Sequence, residues 1–278
     1  AAGLELLGFS TYFGARIPGL SLPLVAVVDF MGFRLICESV LPIDNATLVY
    51  GSSDGGKHVH KSNKDFSLMM ESAGQHLGLG PQRAGKRRKK LWAATDVEGH
   101  IGRDRRFYVI DLARAMPPVP PQTVPLAGEE GVTEQQHLQR SLLCRHFRPE
   151  LVQHYAALYC PMRPGAYSSF IADDEDRETY ERQCMAAVKY LQEKMVSKVF
   201  ENMYWTMQEL SVTTEDPYGE LHVPMSLHKF GVNLRYLGLV CKYLRTGAVR
   251  SNQRALAGLV PVLVVLYTEA LARVLKRR

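Results

Sequence analysis

ATDVEGHIGRDRRFYVIDLARAMPP, residues 94–118, is the stretch whose reading decides the fold. Phe107, Tyr108, Val109 and Ile110 are β-formers in an unbroken run, which predicts a short strand buried on both faces. Ahead of it lies a polar loop, residues 95–100, carrying Asp96 and Glu98, and a charged turn, Arg103 to Arg106. Asp111 follows the strand directly. A buried carboxylate without a partner costs several kcal/mol. Asp111 is therefore expected either to pair with Arg114 or Arg106 and fix the turn, or to face a ligand or metal.

Working outward toward the N-terminus, residues 24–30 and 33–40 alternate as the two strands of a hairpin turning at Met31-Gly32. Arg34 and Glu38 share one face of the second strand. Residues 47–50 read as a third strand, and GSSDGG (residues 51–56) reads as a plain connecting loop, since it lacks the spacing of a phosphate-binding loop. Residues 65–77 carry an amphipathic helix with Phe66, Met69, Met70, Ala73 and Leu77 on one stripe and Asp65 as N-cap. Residues 81–92 are expected to be a basic linker. Its Arg83, Lys86, Arg87, Arg88, Lys89 and Lys90 are candidates for nucleic-acid contact or a solvated tether.

Beyond residue 118 the pattern turns helical. A Pro/Gly-rich loop (119–131) leads to helices at 133–147 and 149–159, then to one long helical pattern at 173–210. Met195, Met203 and Met207 are expected in its core face. In HKFGVNLRYLG (228–238), Asn233 is placed to cap a helix and Arg235 to reach a carboxylate, with Asp96, Glu98 or Asp111 as candidates. Helices at 237–244 and 252–275 close the chain. Residues 255–271 are apolar but short for a membrane span and contain Pro261 and Glu269, so a buried core helix is expected.

The bulk numbers are those of an ordinary globular chain: 278 residues, 46% hydrophobic, 22% charged, net charge +6. Five cysteines without metal-ligand spacing suit free thiols in a reducing compartment, and no metal or cofactor is expected. The N-terminal AAGLELLGFS lacks a positive start and reads as the interior of a longer protein.

Six blocks in order then carry a resemblance: GFRLICESVLPI (32–43), LVYGSSDGGK (48–57), TDVEGHIGRDRRFYVIDLARAMPP (95–118), FRPELV (147–152), GVNLRYLG (231–238) and EALAR (269–273). Over residues 24–275 the chain resembles the CLU domain of the clustered-mitochondria family. The resemblance implies a cytoplasmic, non-catalytic scaffold needed for mitochondrial distribution and associated with mRNAs for mitochondrial proteins. It also implies partners in the translation machinery or at the mitochondrial surface. Asp104-Arg105-Arg106 departs from the family's acidic-Gly-Arg turn, and the basic block is unusual.

The expected fold is α+β, a single domain over 1–278. A small N-terminal sheet lobe (1–80) would pack on a larger, mainly helical lobe (93–278), with Arg34, Asp96, Glu98, Asp111, Arg114, Asn233 and Arg235 as the polar cluster. A fainter resemblance is to a protein-kinase-like architecture, in which a loop aspartate positions the attacking group and a strand-end aspartate holds magnesium. Asp96 and Asp111 would be its counterparts in a degenerate or active nucleotide- or phosphate-binding alternative. The hairpin has no lysine, however, no glycine-rich phosphate loop is present and no asparagine follows Asp96.

Overall fold

The computed structural model describes residues 2–120, 145–165, 174–250 and 253–276. The expected helix at 133–147 and the loop at 119–131 lie mostly outside them. The described end of the first, Arg145–Phe147, is extended: His146 bridges Pro118 and the Val119 amide donates to the Arg145 carbonyl. The chain divides into two compact units, Ala1–Val188 and Lys189–Arg278.

The first unit is built on a five-stranded mixed sheet. It opens with α1 (Ala2–Ala15), then β1 (Leu20–Ser21), the hairpin β2 (Val25–Phe30) and β3 (Phe33–Glu38), β4 (Leu48–Gly51) and β5 (His60–Lys61). Next come α2 (Lys64–His76), β6 (Gln82–Ala84), β7 (Lys89–Leu91), β8 (Glu98–Ile101) and β9 (Phe107–Ile110). The main sheet has the order β1-β9-β8-β4-β5, with β1 parallel to β9 and the other pairs antiparallel. β9 thus lies between two neighbours with Tyr108 and Val109 buried, as its uninterrupted apolar run requires. The sheet draws strands from residue 20 through residue 110. The stretch expected as a linker is itself a β-hairpin, with Gln82 opposite Leu91, Arg83 opposite Lys90 and Ala84 opposite Lys89.

α2 begins at Asn63, whose side chain accepts from the Phe66 amide; the cap is two residues earlier than Asp65. Its buried face, Phe66, Met70 and Ala73, packs into the sheet core. Phe66 stands between Tyr50 and Phe107 at ring separations of 5.6 and 5.9 Å. A side chain at Gly99 would place its Cβ 2.2 Å from the Phe66 ring, so the strand must carry glycine there for the helix to seat. α3 (Pro149–Leu158) starts with proline at its first turn, as its sequence predicts, and α4 (Asp174–Tyr190) follows.

The second unit is helical. A π-turn (Leu191–Met195) leads into α5 (Val196–Thr213), then the short α6 (Pro217–Glu220) and α7 (Val223–His228). α8 (Leu237–Arg250) and α9 (Gln253–Lys276) complete it. α5, α8 and α9 pack against one another around Val199, Met203, Met207, Val240, Val262 and Leu266. Met195, Met203 and Met207 are all core residues. α9 is not the fully buried core helix expected from its composition. Val262 and Leu266 are inside, while Val260, Val264, Tyr267, Leu271, Val274 and Leu275 face solvent. The architecture is α+β, an N-terminal sheet region followed by a larger helical region.

Candidate functional site

The chain leaves β9 through Asp111, which adopts a left-handed backbone (φ 57°). Aspartate and asparagine tolerate that conformation better than most residues. The left-handed step turns the chain into residues 112–115, closed by the Ala115 amide on the Leu112 carbonyl. α1 holds this turn from the other side. Glu5 accepts from the Leu112 amide at 2.6 Å, with the Ala113 amide also bonded to its carboxylate. Gly8, one turn later, lets the helix close in until a Cβ there would lie 2.1 Å from the Leu112 carbonyl oxygen.

Three further carboxylates, Asp96, Glu5 and Glu98, and one arginine, Arg114, act on Asp111 at this turn. Arg114 ion-pairs with Asp96, which is buried. The expectation that Arg114 or Arg106 would take Asp111 is corrected: Arg114 is held by Asp96, and Arg106 pairs with Asp104. Among the described residues no hydrogen bond or ion pair reaches the Asp111 carboxylate. Burial, then the negative charges of Asp96 and Glu5, push its pKa up to about 7, against the counteracting Arg114 charge. Burial raises Asp96 and Glu5 as well, opposed by Arg114 in the first case and by the backbone amides in the second. A carboxyl group poised near neutrality can take up and release a proton at physiological pH. No group of three or more His, Cys, Asp or Glu side chains among the described residues is placed to hold a metal ion.

Glu98 begins β8 opposite Ile110, rather than lying in a loop. Its Oε2 is 3.2 Å from Nε2 of the buried His100, whose Nδ1 is 3.0 Å from Thr47 Oγ1. Thr47 shares a reciprocal capping box with Asp44, and Asp44 pairs with Arg103. The polar run therefore continues across the sheet from the 111–114 turn to the 103–106 turn.

Three candidates of the polar cluster remain, Arg34, Asn233 and Arg235. Arg34 makes two 2.7 Å bonds to Asp29 directly across the β2–β3 hairpin, in solvent. Asn233 belongs to the second unit and caps a 3-10 turn (Leu234–Tyr236) by accepting from the Arg235 amide, the role its spacing predicts. In the loop at 51–56, Ser52 Oγ accepts from the Gly56 amide, and Asp54 accepts from the His58 amide and ring. These side chains occupy amides a phosphate would otherwise need, in keeping with a connecting loop. Two contributors escaped the sequence reading, Glu5 and His100. The signal for Glu5 was present: it is the single charged residue among the first fifteen.

The basic hairpin presents a different surface. Arg83, Lys86, Arg87, Arg88 and Lys90 are exposed and Lys89 is half-buried. Arg83 and Lys90 stand opposite each other on its outer face, and Lys61 of β5 donates to the Lys90 carbonyl. Arg88 is 3.6 Å from Asp176, and Lys90 lies over the Trp92 ring.

All of these groups except Asp176, Asn233 and Arg235 fall within the first 120 residues, and that is where the comparison with known families is decisive. Residues 1–120 match the Clustered mitochondria (CLU) family model. The first three motif blocks fall within that matched stretch; the blocks at 147–152, 231–238 and 269–273 lie beyond it. The clustered mitochondria protein homologue of Aedes aegypti is 30% identical over 122 residues, 41% of this chain and 8% of the relative. Protein clueless of Drosophila virilis is 33% identical over 122 residues, again 41% and 8%. The Caenorhabditis elegans homologue is 30% identical over 128 residues, 42% and 10%. The aligned stretch thus spans a tenth or less of the curated relatives it matches. No solved structure matches the chain.

Proposed function

We propose that this chain is a non-catalytic interaction module of a clustered-mitochondria protein, acting in mitochondrial distribution and contacting mRNA through the β6–β7 hairpin. The observation that carries the reading is a family-matched segment with five exposed basic side chains, Arg83, Lys86, Arg87, Arg88 and Lys90, on one paired hairpin. Phosphate contact needs such a surface: fixed Lys and Arg heads, few neutralising carboxylates, and an aromatic neighbour (Trp92) beside them. The Asp96–Arg114 pair and the Glu5–Leu112 bond tie Arg114 and the Leu112 amide into the fold, which supports a scaffold reading for those two groups. Cytoplasmic partners from the translation machinery or the mitochondrial surface follow from the same reading.

The test is fluorescence polarisation of a labelled single-stranded RNA titrated with the chain at several salt concentrations. Binding should weaken with salt, and Arg87→Glu/Lys90→Glu should lower affinity and flatten the log–log slope by about 1–2. Unchanged binding in that variant would remove the hairpin from the RNA surface.

A further inference from the structure

α9 carries more apolar surface than its own unit uses. At about 100° per residue, the buried Val262 and Leu266 point roughly 200–240° away from Val260. Val264, Tyr267, Leu271, Val274 and Leu275 all fall within about 60° of Val260 on the opposite side. These six residues are between 45% and 62% exposed. The first five follow the spacing 4-3-4-3, the a/d repeat of a coiled-coil seam, sustained over four turns of one helix. A helix that only covers its own core needs a single stripe; this one has two, back to back.

We propose that this outer stripe is a self-association seam, through which α9 of one copy packs against α9 of a second copy of this chain. Two observations select an identical helix as the occupant. The positions flanking the seam are Pro261, Leu263, Thr268 and Ala270, none of them charged. Like charges at those flanks are what disfavours self-pairing, and opposite charges are what selects a different partner. The charged residues of this segment are turned away, and Glu269 and Arg273 satisfy each other at 2.6 Å. The area also suits a two-fold contact. Six half-exposed apolar residues offer roughly 500 Å² per copy, so a symmetric pair removes about 1,000 Å², the lower limit for a specific interface. An association of that size is reversible, and its extent depends on protein concentration.

Sedimentation velocity of the 278-residue chain from about 1 to 100 μM tests this, with a sedimentation coefficient that rises with concentration from the monomer toward the dimer value expected. Val264→Glu/Leu271→Glu should weaken it by about 100-fold or more, with unchanged far-UV circular dichroism. Should the double variant lose helicity, Leu271→Ser alone must still shift the equilibrium toward monomer. Phe33→Glu, on the exposed apolar face of the β2–β3 hairpin, should leave it untouched. A chain that stays monomeric throughout, a dimer that survives the α9 substitutions, or one abolished by Phe33→Glu would each overturn the seam.

Discussion

Replacing Asp111 by asparagine removes one negative charge from the turn after β9 while leaving its backbone undisturbed, since asparagine accepts a φ of 57° as readily as aspartate. The wild-type carboxyl holds its proton up to about pH 7 in the folded chain. In the unfolded chain it releases that proton near the ordinary value of about 3.9. Between those two values the folded state binds more protons than the unfolded state, so Asp111 makes stability fall as pH rises across that window and contributes no further change above it. A shift of about three units corresponds to about 4 kcal/mol, and solvent reaching this partly exposed group brings the realistic figure to about 2–3 kcal/mol. Asp111→Asn should therefore be more stable than wild type by about 2–3 kcal/mol at pH 8 and within about 1 kcal/mol of it at pH 4.5. Asp96, Glu98, Glu5 and Arg114 are the charged groups that act on Asp111. Asp96 and Glu5 are raised as well, so a weaker slope of the same sign should remain in the variant. Urea unfolding at the two pH values, with the slopes checked for equality, measures the difference. An asparagine variant that is destabilised at pH 8, or offset equally at both values, would refute the reasoning.

Two further substitutions probe the same turn. Gly8→Ala should lower stability by about 1–3 kcal/mol, despite the roughly 1 kcal/mol that alanine adds to helix propensity, because its Cβ collides with the Leu112 carbonyl; a raised melting temperature would show that α1 does not approach so closely. Arg114→Met should cost about 3–5 kcal/mol at high pH and less as pH falls, because burial already raises the Asp96 pKa and loss of the Arg114 counter-charge raises it further. A loss independent of pH would mean that the arginine contributes through packing alone.

What the sequence made legible was local. The strand at 107–110, the β2–β3 hairpin and α2 each announce themselves within ten or so residues, through β-formers in a run, alternation about Met31-Gly32 and a three-to-four spacing. The role of Asn233 was legible for the same reason, since a cap is a short-range device. The misread features are those whose partners lie far along the chain or whose local signal is masked. Arg114 chose Asp96 over the nearer Asp111, a choice set by how β8 and β9 are registered. Glu5 reaches the Leu112 amide across 107 positions. The basic hairpin hides because lysine and arginine occupy positions where strand alternation would otherwise show; Ala84 and Leu91 are its only apolar residues within the paired strands. The sequence of α9 reads as a core helix because overall apolarity does not distinguish one buried face from two apolar faces.

The pairing of Leu20 with Phe107 and of Ser21 with Tyr108 has a consequence for biogenesis. An edge strand of the central sheet is synthesised first, but the strand it zips onto leaves the ribosome some 87 residues later. At ordinary rates of synthesis that is an interval on the order of ten seconds. For that time the early strand and its exposed neighbours are orphans, open to chaperones and to mispairing, and the first unit can complete its sheet only after residue 110 has emerged.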